Sequence, residues 1–137
     1  MVSNDIESIK IGDSFVKKFI FTKEAVKLFS QLVDDKAPIH VDQNFATSKG
    51  LKGNIVHGFF ISSIFSGILG QNLPGSNAVI NLFNIKFHKK VYFNEQIIFI
   101  VKVLAVTKSV KAVSLSLEAK NLNEEKVVTG DTICSFI

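Results

Sequence analysis

The chain has 137 residues, of which 47% are hydrophobic and 20% charged, a composition typical of one compact globular domain. Its formal net charge of +4 comes entirely from lysine, and the lack of arginine and tryptophan disfavours nucleic-acid recognition. A single cysteine, Cys134, excludes a disulfide within the chain, and only three dispersed histidines disfavour a structural metal site.

The N-terminus carries acids early and has no apolar core, so we expect no signal peptide. The longest apolar run, residues 55–69, is too short and too polar to cross a bilayer. We therefore expect a cytoplasmic protein that has neither a membrane nor a nucleic acid as a partner.

The first half of the chain predicts one strand and one amphipathic helix. Residues 14–21 alternate imperfectly and favour a strand, after which Thr22 offers a helix N-cap and Glu24 suits the first turn. Pro38 disfavours helical geometry in the residue before it, so the helix should end near Asp34. The side chains at helical spacing that form one apolar face are Ala25, Val26, Leu28, Phe29, Leu32 and Val33.

The second half predicts a buried helix and then strands. Asp42 is placed to cap a short helical turn, and the helix that begins at His57-Gly58 is apolar nearly all round, with Gly70 and the LPG run after it as stop signals. The residues that make this a core helix are Phe59, Ile61, Ile64, Phe65, Ile68 and Leu69. Four strands are predicted at residues 77–92, 95–106, 110–122 and 126–137. The fold class is therefore α+β.

Asp35 and His40 bracket Lys36-Ala37-Pro38-Ile39, so a tight turn can point a carboxylate and an imidazole at one small volume. Such a pair can hold a water, one group taking its proton while the other delivers a proton to a substrate. The structural alternative is an acid that ends a helix and a histidine that caps the next segment. Spacing alone leaves both interpretations open.

Further candidates lie on the buried helix and beside a predicted strand end. Gly58 at a helix start leaves first-turn N–H groups free to bind a carbonyl oxygen that becomes negative, although close packing explains such a glycine equally well. Lys86, His88, Lys89 and Lys90 form a basic cluster, which either protects a strand edge or attracts a phosphate-bearing carrier through its lysines. Cys134 is expected to be a small hydrophobe.

The order of these features carries more information than any one of them. The run DKAPIHVD at residues 35–42, the run IVHG at residues 55–58, and the IFSGILGQ and LPG that follow resemble the signature of the MaoC-like (R)-specific enoyl-CoA hydratases. The resemblance extends from about residue 10 to the last strand. It is especially close to the short hydratases that feed polyhydroxyalkanoate synthesis.

The resemblance implies a hot-dog fold, with an antiparallel sheet wrapped around a long central helix in a single domain of residues 1–137. It implies a homodimer with acyl-CoA tunnels near the subunit interface, and neither a metal nor a redox cofactor. By position, Asp35 matches the catalytic aspartate, His40 the catalytic histidine, and Gly58 the glycine whose N–H polarises the thioester carbonyl. Ser66 matches a serine that supports the aspartate, and His57 is taken as a second supporting residue.

Two departures from the family pattern stand out. Ala37 occupies the position of an asparagine that helps to fix the catalytic turn, and residues 87–95 replace the usual Pro-Val pair and Gly-Asp. Three rivals to an (R)-specific enoyl-CoA hydratase follow from the resemblance: a hot-dog thioesterase, a dehydratase acting on acyl carrier protein, and an acyl-CoA-binding domain that has lost catalysis.

Overall fold

The computed structural model describes residues 4–137 of the chain. The elements, in chain order, are β1 (Ser14–Ile20), α1 (Lys23–Val33), α2 (Pro38–Val41), α3 (Gln43–Ser48), α4 (Gly58–Gln71), β2 (Ala78–Phe87), β3 (Gln96–Thr107), β4 (Ala112–Lys120) and β5 (Lys126–Phe136). Among these helices none is both long and apolar enough to cross a lipid bilayer.

The five strands form one antiparallel sheet in the order β1-β3-β4-β5-β2. Along β4 and along β3 as far as Val103 every second residue is buried, as the period of a strand requires when one face covers a core. Helix α4 lies against that face, where the Phe65 ring packs edge-on to Phe99 with the ring centroids 5.0 Å apart. The predicted α+β architecture, a sheet around a long central helix, is confirmed.

Helix α4 is apolar on most sides, and five of its six predicted core residues are buried. Phe59 is the exception, because it lies on the outer side of the helix and is 82% exposed. The helix also continues through Gly70 to Gln71, one residue beyond the predicted stop signal, and the reversal follows at Gly75, which has a φ of 110°. A helix tolerates an interior glycine at a cost of about 1 kcal/mol.

Helix α1 begins and ends as predicted but is only partly covered. The Thr22 side chain accepts a hydrogen bond from the Ala25 N–H at 3.1 Å, and Asp34 ends the helix in the left-handed conformation with a φ of 56°. Of the predicted apolar face, Val26 is buried, whereas Leu28 and Leu32 are 67% and 85% exposed. The apolar face of α1 is therefore only partly covered by the rest of residues 4–137.

Strand β2 is shorter than predicted, ending at Phe87 rather than at residue 92. Beyond Phe87 the N–H groups of His88 and Lys89 both donate to the Val127 carbonyl, so the regular ladder ends there. The chain then crosses to the start of α4, where Tyr92 forms an isolated antiparallel bridge with Ile55. This crossing brings the segment after β2 to the predicted site.

Candidate active site

Asp35 lies between α1 and α2, and its main-chain carbonyl is held by two side chains. The Ser30 hydroxyl donates to this carbonyl at 2.5 Å, and Nε2 of His57 donates to it at 3.0 Å. The Asp35 carboxylate accepts the Ala37 N–H at 3.2 Å and is otherwise exposed. The backbone of the predicted catalytic residue is thus fixed, while the residue itself is exposed.

His40 lies in α2, a four-residue helix that Pro38 starts in the first-turn position that proline favours. Its Nδ1 donates to the Ile55 carbonyl at 2.7 Å, which orients the ring. Because a carbonyl can only accept, Nδ1 carries a proton and Nε2 is the nitrogen left for a substrate or a water. The ring is half-buried and lines a cleft of about 380 Å³, here called the His40 cleft.

His57 is the residue before α4 and one of the most deeply buried side chains. Its ring stacks on His40, with centroids 3.8 Å apart and planes 23° from parallel. Burial lowers the pKa of His57, and the nearby His40 lowers it further, while the bond to the Asp35 carbonyl opposes both effects. His57 Nδ1 is buried without a hydrogen-bond partner among residues 4–137, which suits the neutral Nε2–H tautomer.

These three residues converge as the sequence predicts for Asp35 and His40. A carboxylate oxygen of Asp35 and a ring nitrogen from each of the two histidines all lie within 4.8 Å of one another. A water that hydrogen-bonds two groups at about 2.8 Å each can bridge a gap of this size. The geometry therefore allows one water to contact both members of the predicted acid/base pair.

The same three residues fit a metal ion poorly. A zinc ion binds an imidazole nitrogen in the plane of the ring at about 2.0–2.1 Å. The two rings are stacked 3.8 Å apart, so one ion cannot lie in both planes, and His57 Nε2 is already bonded to a carbonyl. The expectation that the site works without a metal stays a prediction, and the ring geometry supports it.

Gly58 is the first residue of α4, and no hydrogen bond among residues 4–137 uses its N–H. It lines a second cleft of about 300 Å³, here called the Gly58 cleft, together with Phe87, Lys89 and Lys90. A Cβ at this position would meet the Phe87 ring at 3.0 Å. The glycine therefore leaves both an unpaired donor and the space beside it, the two features that its predicted role needs.

Ser66 forms no hydrogen bond with Asp35 among residues 4–137. It lies eight residues after Gly58, about 12 Å farther along α4, on the exposed side of the helix. No hydrogen bond within residues 4–137 uses its hydroxyl, whereas Ser62 and Ser63 bond back to carbonyls in their own helix. Its predicted support of the aspartate is not formed inside this chain.

The predicted basic cluster divides into members with different surroundings. Lys89 and Lys90 line the Gly58 cleft and also a larger polar cleft of about 640 Å³ that includes Lys52. Lys89 forms an ion pair with Glu125. Lys86 lies on β2 and lines neither cleft, so only two of the three predicted lysines stand beside the site.

Sequence reasoning missed two side chains that hold the site. Ser30, a serine on an otherwise apolar part of α1, is buried and bonds the Asp35 carbonyl. Asn54 donates to the Ile39 carbonyl at 3.0 Å and approaches the Pro38 carbonyl at 3.5 Å. A polar residue inside an apolar helix face was an available signal for Ser30, but Asn54 is 15 residues from its acceptor and carries no local signal.

Comparison with known proteins identifies the family of the chain. Residues 7–127 match the model of the family of MaoC-like domains. The chain is 31% identical to a mitochondrial 3-hydroxyacyl-[acyl-carrier-protein] dehydratase of Arabidopsis thaliana, over 90% of this chain and 75% of that protein. It is 28% identical to the (R)-specific enoyl-CoA hydratase of Aeromonas caviae, over 93% of this chain and 95% of that protein.

A solved structure of the (R)-hydratase of A. caviae, involved in polyhydroxyalkanoate biosynthesis, superposes with a TM-score of 0.91. The two chains are 27% identical, and the match covers 96% of this chain and 99% of the other. The predicted hot-dog fold is confirmed.

Proposed function

The chain belongs to the family of MaoC-like domains, and from that premise we propose that it is an (R)-specific enoyl-CoA hydratase. Its relatives are named as hydratases and dehydratases, and like them it is a hydro-lyase. The proposed reaction is the reversible addition of water to a trans-2-enoyl thioester, giving an (R)-3-hydroxyacyl thioester. One observation carries the proposal: a carboxylate oxygen of Asp35 and ring nitrogens of His40 and His57 lie within 4.8 Å of one another, and the residue after His57, Gly58, has an unpaired N–H among residues 4–137.

The proposed mechanism assigns one task to each group. The Asp35 carboxylate takes a proton from the bridging water, whose oxygen attacks C3 of the enoyl thioester. The electron pair of the C2–C3 double bond moves toward the thioester oxygen, which the Gly58 N–H and the α4 dipole stabilise. His40, held by Nδ1–H on the Ile55 carbonyl, delivers a proton from its Nε2 to C2, and the proton that Asp35 took from the water then passes to Nε2, which restores both groups.

We assign the chain to a homodimer in which α4 and the β2 edge are covered by a second copy. Strand β2 is at the edge of the sheet, and its Val79, Ile80 and Leu82 are all exposed, a combination that invites pairing. Pairing of β2 with its copy about a twofold axis would extend the sheet and cover Phe59 on the outer side of α4. Ser66 shares that side, so its proposed support of the aspartate is across the interface.

We assign the carrier half of the substrate to the lysines that line the Gly58 cleft, Lys89 and Lys90. A thioester whose oxygen reaches the Gly58 N–H extends one arm past Lys89 and Lys90, and their charge attracts the phosphates of CoA. The His40 cleft, lined by Val26, Val41 and Phe93 among others, suits the apolar acyl arm.

One assay with crotonyl-CoA tests the function against its rivals. We expect loss of the conjugated enoyl-thioester absorbance without release of thiol, and an (R)-3-hydroxybutyryl product on chiral analysis. Release of free CoA would instead identify a thioesterase, because water would then attack the carbonyl carbon. Absence of turnover on every enoyl chain length, with CoA and with acyl carrier protein as the carrier, would leave only a binding domain.

The second candidate is dehydration of 3-hydroxyacyl groups on acyl carrier protein, which the relative from A. thaliana favours. The chemistry at Asp35, His40 and Gly58 is the same in reverse, and only the carrier differs. Matched acyl-CoA and acyl-carrier-protein substrates therefore distinguish the two candidates. We expect a kcat/KM at least about tenfold higher for the CoA thioester if the lysines bind its phosphates.

A further inference from the structure

Helix α2 carries His40 but lacks the side-chain cap that a short helix needs. Ala37 is its N-cap residue and offers no side-chain hydrogen bond. An asparagine, the residue of the family pattern at this position, would be among the best N-caps because its side-chain oxygen accepts an N–H from the first turn. A helix of four residues is too short to be stable without ties of this kind.

Asn54 supplies side-chain hydrogen bonds to α2 instead. Its Nδ2 donates to the Ile39 carbonyl at 3.0 Å and lies 3.5 Å from the Pro38 carbonyl, so one amide contacts two of the four residues of α2. The next residue, Ile55, donates its N–H to the same Ile39 carbonyl at 3.1 Å and accepts from His40 Nδ1 at 2.7 Å. The segment of Asn54 and Ile55 is thereby fastened to the backbone and to the ring of the acid/base histidine.

We propose that Asn54 is a positioning residue of the active site, which fixes the helix of His40 in place of the cap that Ala37 does not provide. The expected change in kcat rests on the proposed function, whereas the expected change in the position of His40 rests on the hydrogen bonds alone. Asn54 is half-buried and lines the His40 cleft beside His40 itself, so the tie is formed within the site. Asn54 acts through Ile39 and His40 and exchanges no proton with the substrate.

The kinetic test compares Asn54→Ala with a matched control. Asn4 is also an asparagine whose Nδ2 contacts two carbonyls of a distant loop, those of Pro74 at 2.9 Å and Asn72 at 3.5 Å. We expect Asn54→Ala to lower the kcat on crotonyl-CoA about 10- to 100-fold with KM nearly unchanged, because a misplaced acid loses alignment rather than binding. Asn4→Ala should leave kcat unchanged, and an equal loss of kcat in both variants would overturn the proposal.

Two further variants separate positioning from stability. Asn54→Asp keeps the size of the side chain but removes both N–H donors, so it should lose kcat as Asn54→Ala does. Adding Ala37→Asn to Asn54→Ala restores the missing cap and should recover most of the kcat. If the double variant stays as slow as Asn54→Ala, the two residues do not serve the same helix and the proposal fails.

The imidazole ¹⁵N and ¹H spectrum of His40 tests the tie without any turnover. In the unchanged protein the Nδ1–H bonded to the Ile55 carbonyl should give one sharp signal. We expect Asn54→Ala to broaden or split that signal, and Asn4→Ala to leave it as it is. An unchanged His40 signal in Asn54→Ala would overturn the inference, whereas an inactive but otherwise normal wild-type protein would overturn only the proposed function.

Discussion

Gly58→Ala adds one methyl group beside the N–H to which we assign the thioester oxygen. The new Cβ would lie 3.0 Å from Cζ and 3.1 Å from Cε1 of Phe87, and ordinary contact begins at 3.4 Å. The ring must therefore withdraw by at least 0.4 Å (3.4 minus 3.0). Phe87 is 48% exposed, so it can move toward solvent at little cost. Replacing glycine by alanine in a helix gains up to about 1 kcal/mol, and this gain offsets the cost of moving the ring. The free energy of unfolding should therefore stay nearly unchanged.

Activity should respond far more than stability. The methyl group and the displaced ring occupy the Gly58 cleft beside the N–H, so the substrate oxygen cannot approach it. Loss of one oxyanion donor lowers kcat by about 100- to 1000-fold. We expect a loss of this size for Gly58→Ala on saturating crotonyl-CoA, with a thermal midpoint close to that of the unchanged protein.

The control for this variant is Phe87→Ala, which enlarges the same cleft but adds nothing next to the N–H. It should change KM and retain most of kcat, because the donor stays free. A Gly58→Ala protein whose kcat is within about threefold of the wild type would refute the assignment of the N–H to the thioester oxygen.

Three other substitutions test the remaining parts of the site. Asp35→Asn and His40→Ala should each lower kcat at least about 100-fold in a folded protein by circular dichroism, and near-normal turnover in either would remove its assigned role. Burial lowers the pKa of His57 below 6.5, so at low pH the unfolded chain binds more protons than the folded one. The free energy of unfolding should therefore fall as pH drops below 6.5. His57→Phe should make the free energy of unfolding, measured by urea titration, less dependent on pH in this range. Ser66→Ala should lower kcat without changing the thermal midpoint. Mixing Ser66→Ala chains with Asp35→Asn chains should restore about a quarter of the wild-type activity. The reason is that half of the randomly paired dimers are mixed, and one of the two sites in each mixed dimer has both residues intact. No recovery on mixing would place the serine's role within one chain.

The sequence predicted the elements of the fold well because each has a local cause. Thr22 caps α1, Asn94 has a positive φ of 67° in the break between the predicted strands at residues 77–92 and 95–106, and the period-two pattern of β4 follows the buried face of the sheet. The predictions that failed concern which apolar side chains are buried, because burial depends on neighbouring elements that the periodicity of one segment does not reveal. Leu32 and Phe59 are as apolar as their buried neighbours, and only the position of other elements decides which of them is covered.

The site was predictable where its residues are close in sequence. Asp35 and His40 are separated by one short turn, so the sequence alone could place them near each other. The contacts of His57 and Asn54 with this turn span 22 and 15 residues, and they exist only because the chain returns to the start of α4. Their partners are main-chain carbonyls, which every residue possesses, so no pair of letters in the sequence marks these contacts.

Those carbonyl acceptors also determine which changes the site tolerates over evolution. The side chains of Lys36 and Ile39 can be substituted without removing any of these acceptors, so such substitutions leave the hydrogen bonds to the main chain intact. Insertion or deletion of a single residue between Asp35 and His40 would shift the carbonyls of Asp35 and Ile39 out of register with their fixed donors. Length, rather than composition, is therefore the conserved quantity that we expect for this loop in functional descendants of the chain.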